Sequence, residues 1–388
     1  MEHTFSIGVY AHRDLNLVSG KGSLVFDSDG NEYIDCTTGV GVASLGHSHD
    51  ELVDAITAQA RRLMVCVNTI GNDVRAECME KLVSISPSGL ERVYLCNSGA
   101  EAIEAALKFA RQSTGRTDFV SALRGFHGRT FGALSATANA SYQKPFKPMV
   151  PGFRHAPFNQ AEAFEKLIDD RTAGVVIELV QGEGGVRPAE SEFILAVAEL
   201  CSQRGALLIV DEVQTGFCRT GQMFACEHFA VNPDILCLAK GIAGGMPMGA
   251  VVANEKILGA TGSHGSTFGG NPLASAACLK TVEIMQRDNL AARAAQLGDE
   301  FVREFSADLP PVVRQVRHMG LMIGIELKTK ATPFIKRLQE LGILVLPAGT
   351  TVIRLLPPLI IEKRQLNTVR ETLMSVLQTD LDEMNSLK

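Results

Sequence analysis

The sequence predicts an α/β protein, a large domain with a mostly parallel sheet followed by a small α+β C-terminal domain. Three observations carry this. Short, mostly apolar runs, Val175 to Leu179, Leu207 to Val210 and Ile235 to Leu238, read as strands buried on both faces, the pattern of a parallel sheet covered by helices. Helical stretches, such as the one through Ile194 to Cys201, lie among the strands. From about residue 288 the pattern changes to long helices with strands grouped between them. We place an N-terminal arm at 1–48, the large domain at 49–287 and the small domain at 288–388.

A chain of 388 residues, 46% of them apolar, is long enough to bury a large core. The net charge of -6 and pI near 5.9 give no reason to expect general binding to nucleic acid or membrane surfaces. A local basic stretch does occur, with Lys144, Lys147 and Arg154 close together in sequence. Nine cysteines, odd in number and without a C-x-x-C pair, read as buried free thiols of a reducing compartment. A cytoplasmic location is expected, since the start MEHTFSIGVYAHRD lacks a secretory apolar core and no apolar run is long enough to span a bilayer.

In chain order, Ser23 to Asp27 and Glu32 to Asp35 form a hairpin across Ser28-Asp29-Gly30-Asn31. His47 and His49 have metal-ligand spacing but no partner cluster, so no metal is expected; Asp50 reads as the cap of the next helix. Helical periodicity runs from Leu52 to Leu63 and from Val74 to Ile85, broken by Pro87-Ser88-Gly89. A strand at Arg92 to Cys96 leads straight into Ser98-Gly99-Ala100-Glu101, where Ser98 and Glu101 have capping-box spacing. The helix that starts there presents free N–H groups, a phosphate-binding end, and Gly99 leaves room for close approach.

The strand Asp118 to Leu123 feeds RGFHGRT, in which Phe126 offers a face for a planar ring and Arg129 a fork for a carboxylate. His127 reads as support for such a ring. After Val175 to Leu179 comes VQGEGGVRP, an irregular loop in which Glu183 becomes a charge switch if arginines share its crevice. A helix through Ile194 to Cys201 precedes the run Leu207 to Val210.

Asp211 follows that run and Lys240 follows Ile235 to Leu238. Ligands of open α/β sheets sit beyond the carboxyl ends of the strands, so this acid and this lysine face one crevice. A lysine beside Gly241, Gly244 and Gly245 suits a bound aldehyde, and a carboxylate keeps a pyridinium nitrogen protonated; pyridoxal phosphate fits both. Val213 supplies an apolar face and Gln214 an amide within reach of a phenolic oxygen. Gly249 to Ala253 reads as an antiparallel return strand. In HGSTFGGNP, Ser266 or Thr267 can add phosphate contacts ahead of a helix from Pro272. The C-terminal part reads as a helix to Phe305, a strand at Gly320 to Leu327, a helix near Pro333 to Leu341, strands at Ile343 to Leu346 and Val352 to Leu356, and a helix at 362–378. Arg354, in an apolar strand, needs an anionic partner.

Taken together, NSGAEA, GFHGRT, QGEGG, DEVQTG, RTG with FA, PDI with LAKG, and STFGGNP appear in order over most of the chain. They resemble the class III, or ω-amino, pyridoxal-phosphate aminotransferases of fold type I. YIDCTTG, GGVRPA and GTTVIRLLPPLIIEK are similar to the branch acting on lysine or ornithine attached to an amino-group carrier protein, beside the acetylornithine aminotransferases. The resemblance implies that Lys240 attaches the cofactor, Asp211 pairs with the pyridinium and Gln214 touches the phenolic oxygen. It also implies that Ser98, Gly99 and Ala100 bind phosphate, Phe126 and Val213 sandwich the ring, and Thr267 reaches the phosphate of the other subunit of a homodimer. Arg129 would hold the distant substrate carboxylate, and Glu183 would neutralise Arg354 until an oxoacid carboxylate takes its place. Leu179 and Ser48 stand where the family usually has proline, and Cys218 where it has glycine.

The function so implied moves the terminal amino group of an Nα-blocked ornithine or lysine, either N-acetylornithine or a form linked to an acidic carrier protein, to 2-oxoglutarate in arginine or lysine biosynthesis. Its rivals are a 4-aminobutyrate or ornithine ω-aminotransferase and an aminomutase of the same fold. A phosphate-binding module leaves Lys240 and Asp211 without a joint role, and a Rossmann dehydrogenase lacks G-x-G-x-x-G after a strand.

Overall fold

The computed structural model describes residues 2–257 and 259–378. At its centre is a seven-stranded sheet in the spatial order Leu90–Cys96, Gly249–Asn254, Ile235–Leu238, Leu207–Asp211, Thr172–Ile177, Asp118–Ala122, Phe153–Ala156. Gly249–Asn254 runs antiparallel to both neighbours and every other pairing is parallel. The central strands need no polar face because both of their faces are covered: all residues of Thr172–Ile177 and Ile235–Leu238 are buried. Each Val, Ile or Leu so buried contributes about 1.5–3 kcal/mol, which is why these short runs are the clearest fold signal in the sequence.

Helix Gly99–Thr114 packs Ala102, Ile103, Ala106, Leu107 and Ala110 against this sheet. Its start is fixed by the Ser98 hydroxyl, which accepts from the Glu101 N–H at 3.2 Å, while the Glu101 carboxylate accepts from the Asn97 N–H at 2.8 Å. At its other end Gly115 takes φ 68 and its N–H closes on the Arg111 carbonyl. The strand that leads in and the cap at its end therefore set the helix start at the sheet's carboxyl edge.

The C-terminal part contains an antiparallel sheet in the order Val313–Met319, Met322–Leu327, Val352–Leu355, Leu346–Ala348. It is flanked by helices Leu290–Ser306, Thr332–Glu340 and Lys363–Gln378. A third sheet joins the two ends of the chain: Leu17–Lys21, Leu24–Asp27 and Glu32–Asp35 form a meander, and Ile343–Leu344 adds to it in parallel. Arg13 strengthens the same junction, donating to the Val345 carbonyl at 2.6 Å. Arg219, fully buried, ties the large sheet's loops to the C-terminal sheet by donating to the carbonyls of Leu321 and Pro357 at 3.1 and 2.6 Å.

Several local expectations change. The run at Ile343 to Leu346 is two strands, since Ile343–Leu344 pairs with the N-terminal meander and Leu346–Ala348 with Val352–Leu355. VQGEGGVRP is a miniature hairpin, Val180–Gln181 against Arg187–Pro188, with Glu183 at its tip. His49, extended at φ -64 and ψ 121, precedes the helix Asp50–Arg62, and Asp50 lies in the first turn, where it pairs with Lys21 at 2.5 Å. Arg154 is not part of an exposed basic face: its guanidinium grips Asp169 at 2.7 and 2.9 Å at the sheet edge, with Asp118 at 3.6 Å. Lys144 and Lys147 remain exposed. All nine cysteines are free and eight are buried. Among the described residues no helix is long and apolar enough to cross a membrane.

Candidate active site

The strands that point the same way end at one edge of the large sheet, and the segments just beyond those ends build one cavity. Asn97, Ser98, Gly99 and Ala100 come after Leu90–Cys96; Phe126, His127 and Arg129 after Asp118–Ala122; Glu178 after Thr172–Ile177; Asp211, Val213 and Gln214 close Leu207–Asp211; and Lys240 comes after Ile235–Leu238. These residues, with Glu183, line a cavity of about 480 Å³. Val42, Met246, Pro247 and Met248 complete its wall.

Asp211 lies at the bottom, 4% exposed. Its Oδ1 accepts from the Val213 N–H at 3.0 Å, and its Oδ2 lies 2.8 Å from His127 Nδ1. Burial alone pulls the His127 imidazole down, but the hydrogen bond and charge of Asp211, with the charge of Glu178, outweigh it and raise the pKa. Glu178 is a site residue that the sequence reading misses. It is buried, accepts from the N–H groups of Phe126 at 2.9 Å and Gly182 at 3.2 Å, and is pushed up to about 7. Burial is the main cause, the charge of His127 opposes it and that of Asp211 adds to it. A signal for it exists: like Asp211 and Lys240, Glu178 is a charged residue at the carboxyl end of an apolar run.

Lys240 adopts φ 46 at the strand end, keeping part of its surface open to the cavity while protein surrounds it. Its ammonium is lowered from 10.5 to about 8, by burial first and the charge of Arg354 second; Asp211, Glu183 and Glu178 pull the other way. Among the described residues no other lysine lines this cavity.

Arg354, 2% exposed, reaches the site from its strand in the C-terminal sheet, where its Nη2 also donates to the Pro347 carbonyl at 3.4 Å. Nη2 donates to Glu183 Oε1 at 2.6 Å and Nη1 to Gln214 Oε1 at 3.0 Å. Since a guanidinium only donates, the Gln214 oxygen must face it, which leaves the amide NH2 as the group free to donate elsewhere. Gly182 leaves room for this arrangement: a Cβ at that position would displace the Gln214 amide from its place against Arg354. The same close-approach argument revises Gly99, whose absent Cβ would stand 2.7 Å from Val213 Cγ1, so this glycine makes room for Val213.

Arg129 lies over the Tyr142 ring, 3.5 Å from its centroid, and 5.4 Å from that of Phe126. Its donors have no protein acceptor among the described residues. Ser266 serves its own loop, accepting from the Asn97 side-chain amide at 3.0 Å and the Gly269 N–H at 2.9 Å, while Thr267 is exposed and lies outside the cavity lining of its own chain. Cys218, at φ 68, occupies a left-handed position that glycine tolerates better, and Leu179 is fully buried with its carbonyl accepting from the Ala189 N–H.

Comparison with known proteins bears on this cavity directly. The family model for aminotransferase class-III matches residues 9–377. The chain belongs to the class-III aminotransferases. It is 47% identical over 373 residues to the "[LysW]-aminoadipate semialdehyde transaminase" of Deinococcus radiodurans, covering 95% of this chain and 87% of that protein. It is 45% identical over 365 residues to the acetylornithine aminotransferase of Methanosarcina acetivorans, covering 94% of this chain and 92% of that one. Among solved structures, an ornithine aminotransferase from Toxoplasma gondii superposes with a TM-score of 0.94 at 32% identity, covering 99% of this chain and 94% of that one.

As a class-III aminotransferase the chain is a pyridoxal-phosphate enzyme of fold type I. The cavity suits that group. Its volume is that of a small-molecule site. A buried carboxylate, a lysine with a lowered pKa and the Gly99 and Ala100 N–H groups, which lie outside the intrahelical ladder, all belong to this one cavity.

Proposed function

We propose that this aminotransferase moves the terminal amino group of an Nα-blocked ornithine or lysine to 2-oxoglutarate, yielding the semialdehyde and glutamate. The observation that carries this reading is the pair Arg354–Glu183. A guanidinium 2% exposed is neutralised at 2.6 Å by a carboxylate that remains 30% exposed, so the counter-ion is free to leave while the cation is not. One site can thereby accept an amine donor when Arg354 is paired and a dicarboxylate when Glu183 withdraws. The names of the two relatives, one acting on a carrier-linked semialdehyde and one on acetylornithine, support a blocked α-amine.

When bound, pyridoxal 5'-phosphate supplies an aldehyde for the amine and a protonated ring that accepts electron density. Asp211 holds the ring nitrogen's proton, and His127 and the Val213 N–H fix that carboxylate in place. Phe126 and Val213 would flank the ring, Ser98, Gly99 and Ala100 would hold the phosphate, and the Gln214 amide NH2 would donate to the phenolic oxygen. Lys240, its pKa lowered to about 8, would hold the cofactor through its aldehyde and would be the group placed to take and return the proton of the amine-bearing carbon. Arg129 binds the distant carboxylate of either substrate. Thr267, exposed on its own chain, reaches the phosphate of the second subunit in a cytoplasmic homodimer.

Two results test this. Glu183→Gln leaves Arg354 charged and unpaired, so the amine half-reaction should lose on the order of tenfold or more in kcat/KM while the 2-oxoglutarate half loses much less. Single-turnover measurement of each half checks this, and equal losses would count against the switch. For the donor, lysine linked to a carrier protein should exceed N-acetylornithine in kcat/KM if remote binding energy is used at the reacting carbon. Equal or better turnover of N-acetylornithine would make the free compound the substrate.

A further inference from the structure

A second cavity, about 500 Å³, adjoins the first, and the two share Phe126 and Glu183 in their walls. Its character differs. Where the first is closed by Val42, Met246 and Met248, the second is walled by Arg124, Arg187 and Arg314, with Glu326 and hydroxyl groups such as Thr350 and Thr351. Its basic groups are under-compensated. Glu326 is the carboxylate for three guanidiniums at once: Arg317 at 2.5 Å, Arg314 at 3.5 Å and Arg187 at 3.6 Å. Glu183, the other carboxylate in this wall, is committed to Arg354. Arg124 forms no ion pair among the described residues and lies exposed at a backbone φ of 67. Burial, then the charges of Arg317 and Arg124, hold the Arg187 guanidinium below its ordinary value, with Glu326 only partly offsetting them. Such crowding of cations around a cavity favours an anion there.

Position decides which anion. With the terminal amine at Lys240 and the α-carboxylate at Arg129, the remaining substituent of an Nα-blocked donor leaves the first cavity past Phe126 and Glu183. We propose that the cavity of Arg124, Arg187 and Arg314 receives the Nα-blocking group and selects one that carries a carboxylate over an uncharged acyl group. This rests on the reading of the enzyme as a transaminase of Nα-blocked donors. The basic stretch containing Arg154 offers less to an anion, since Asp169 and Asp118 already occupy that guanidinium.

The test compares Nα-acetylornithine with Nα-succinylornithine, which differ by a carboxymethyl group so that only the succinyl donor carries a charge on its blocking group, using the holoenzyme. The wild type should prefer the succinyl donor about tenfold or more in kcat/KM, and the preference should shrink as salt rises, because a partly exposed charge contact is screened. In the double variant Arg124→Gln, Arg314→Gln the ratio of the two kcat/KM values should fall about tenfold. Both side chains are exposed, and the absorbance of the lysine-bound cofactor reports whether the variant is folded; the salt dependence of the wild type stands even if it is not. Equal turnover of the two donors by the wild type, or an unchanged ratio in a folded variant, would overturn the subsite and leave the proposed reaction intact. Turnover of 4-aminobutyrate or free ornithine with neither blocked donor accepted would instead overturn the reaction on which the subsite rests.

Discussion

Lys240→Ala should lower turnover at least about 10³-fold and abolish the absorbance of the lysine-bound cofactor, because attachment and proton transfer both depend on this one amine. It is the lysine of the cavity, so no neighbour substitutes for it. The lowered pKa adds a second, graded expectation. Only the neutral amine attacks an aldehyde, so the rate of cofactor attachment to apoenzyme should rise with pH through about 8 and level off above. A lysine at the ordinary 10.5 would go on rising for two further pH units or so. Stopped-flow absorbance over this range measures it. Turnover of Lys240→Ala within tenfold of wild type would remove Lys240 from the chemistry.

Asp211→Asn should slow both half-reactions by about 10²- to 10⁴-fold, in contrast to the one-sided effect of Glu183→Gln. The replacement has the same shape and can keep a bond to His127, but it takes away the anion that holds a proton on the ring nitrogen. A local readout accompanies the kinetic one. In the wild type, the hydrogen bond and charge of Asp211 raise the His127 pKa against its burial. With that charge gone, burial is opposed mainly by the charge of Glu178, so the His127 pKa should fall. NMR titration of labelled histidine tracks this directly. Rates within tenfold of wild type, or an unshifted His127, would separate Asp211 from the role given to it.

Much of this is readable from residue order because the large sheet is buried on both faces. Apolar runs such as Ile235–Leu238 have no other use, and a charge just after one must lie at the ligand edge. That rule singles out Asp211 and Lys240. Applied evenly it also finds Glu178, which hides inside the apolar run to Leu179, whereas the strand itself ends at Ile177. The elements that escape notice are those without an apolar signature. Phe153–Ala156 is an edge strand with a polar half, and Val313–Met319 carries two arginines and a histidine on a half-exposed strand. Contacts distant in sequence are the least legible. Arg354 plainly requires an anion, but the part played by Gln214 rests on Gly182, whose missing side chain is a packing fact. The second cavity draws Arg124, Arg187 and Arg314 from three separate segments, and no single stretch signals it.

The parallel pairing of Ile343–Leu344 with Glu32–Asp35 has a consequence for how the chain is made. Arg13 and Val345 are bonded across 332 residues of sequence. At ribosomal elongation rates the N-terminal meander therefore emerges on the order of tens of seconds before its fourth strand exists. During that interval Glu32–Asp35 presents an unsatisfied edge, the kind that pairs with other nascent chains. The completed structure closes this edge with its own late-synthesised residues. Truncations that stop before residue 343 should thus be far more prone to aggregate than their lost core alone would suggest.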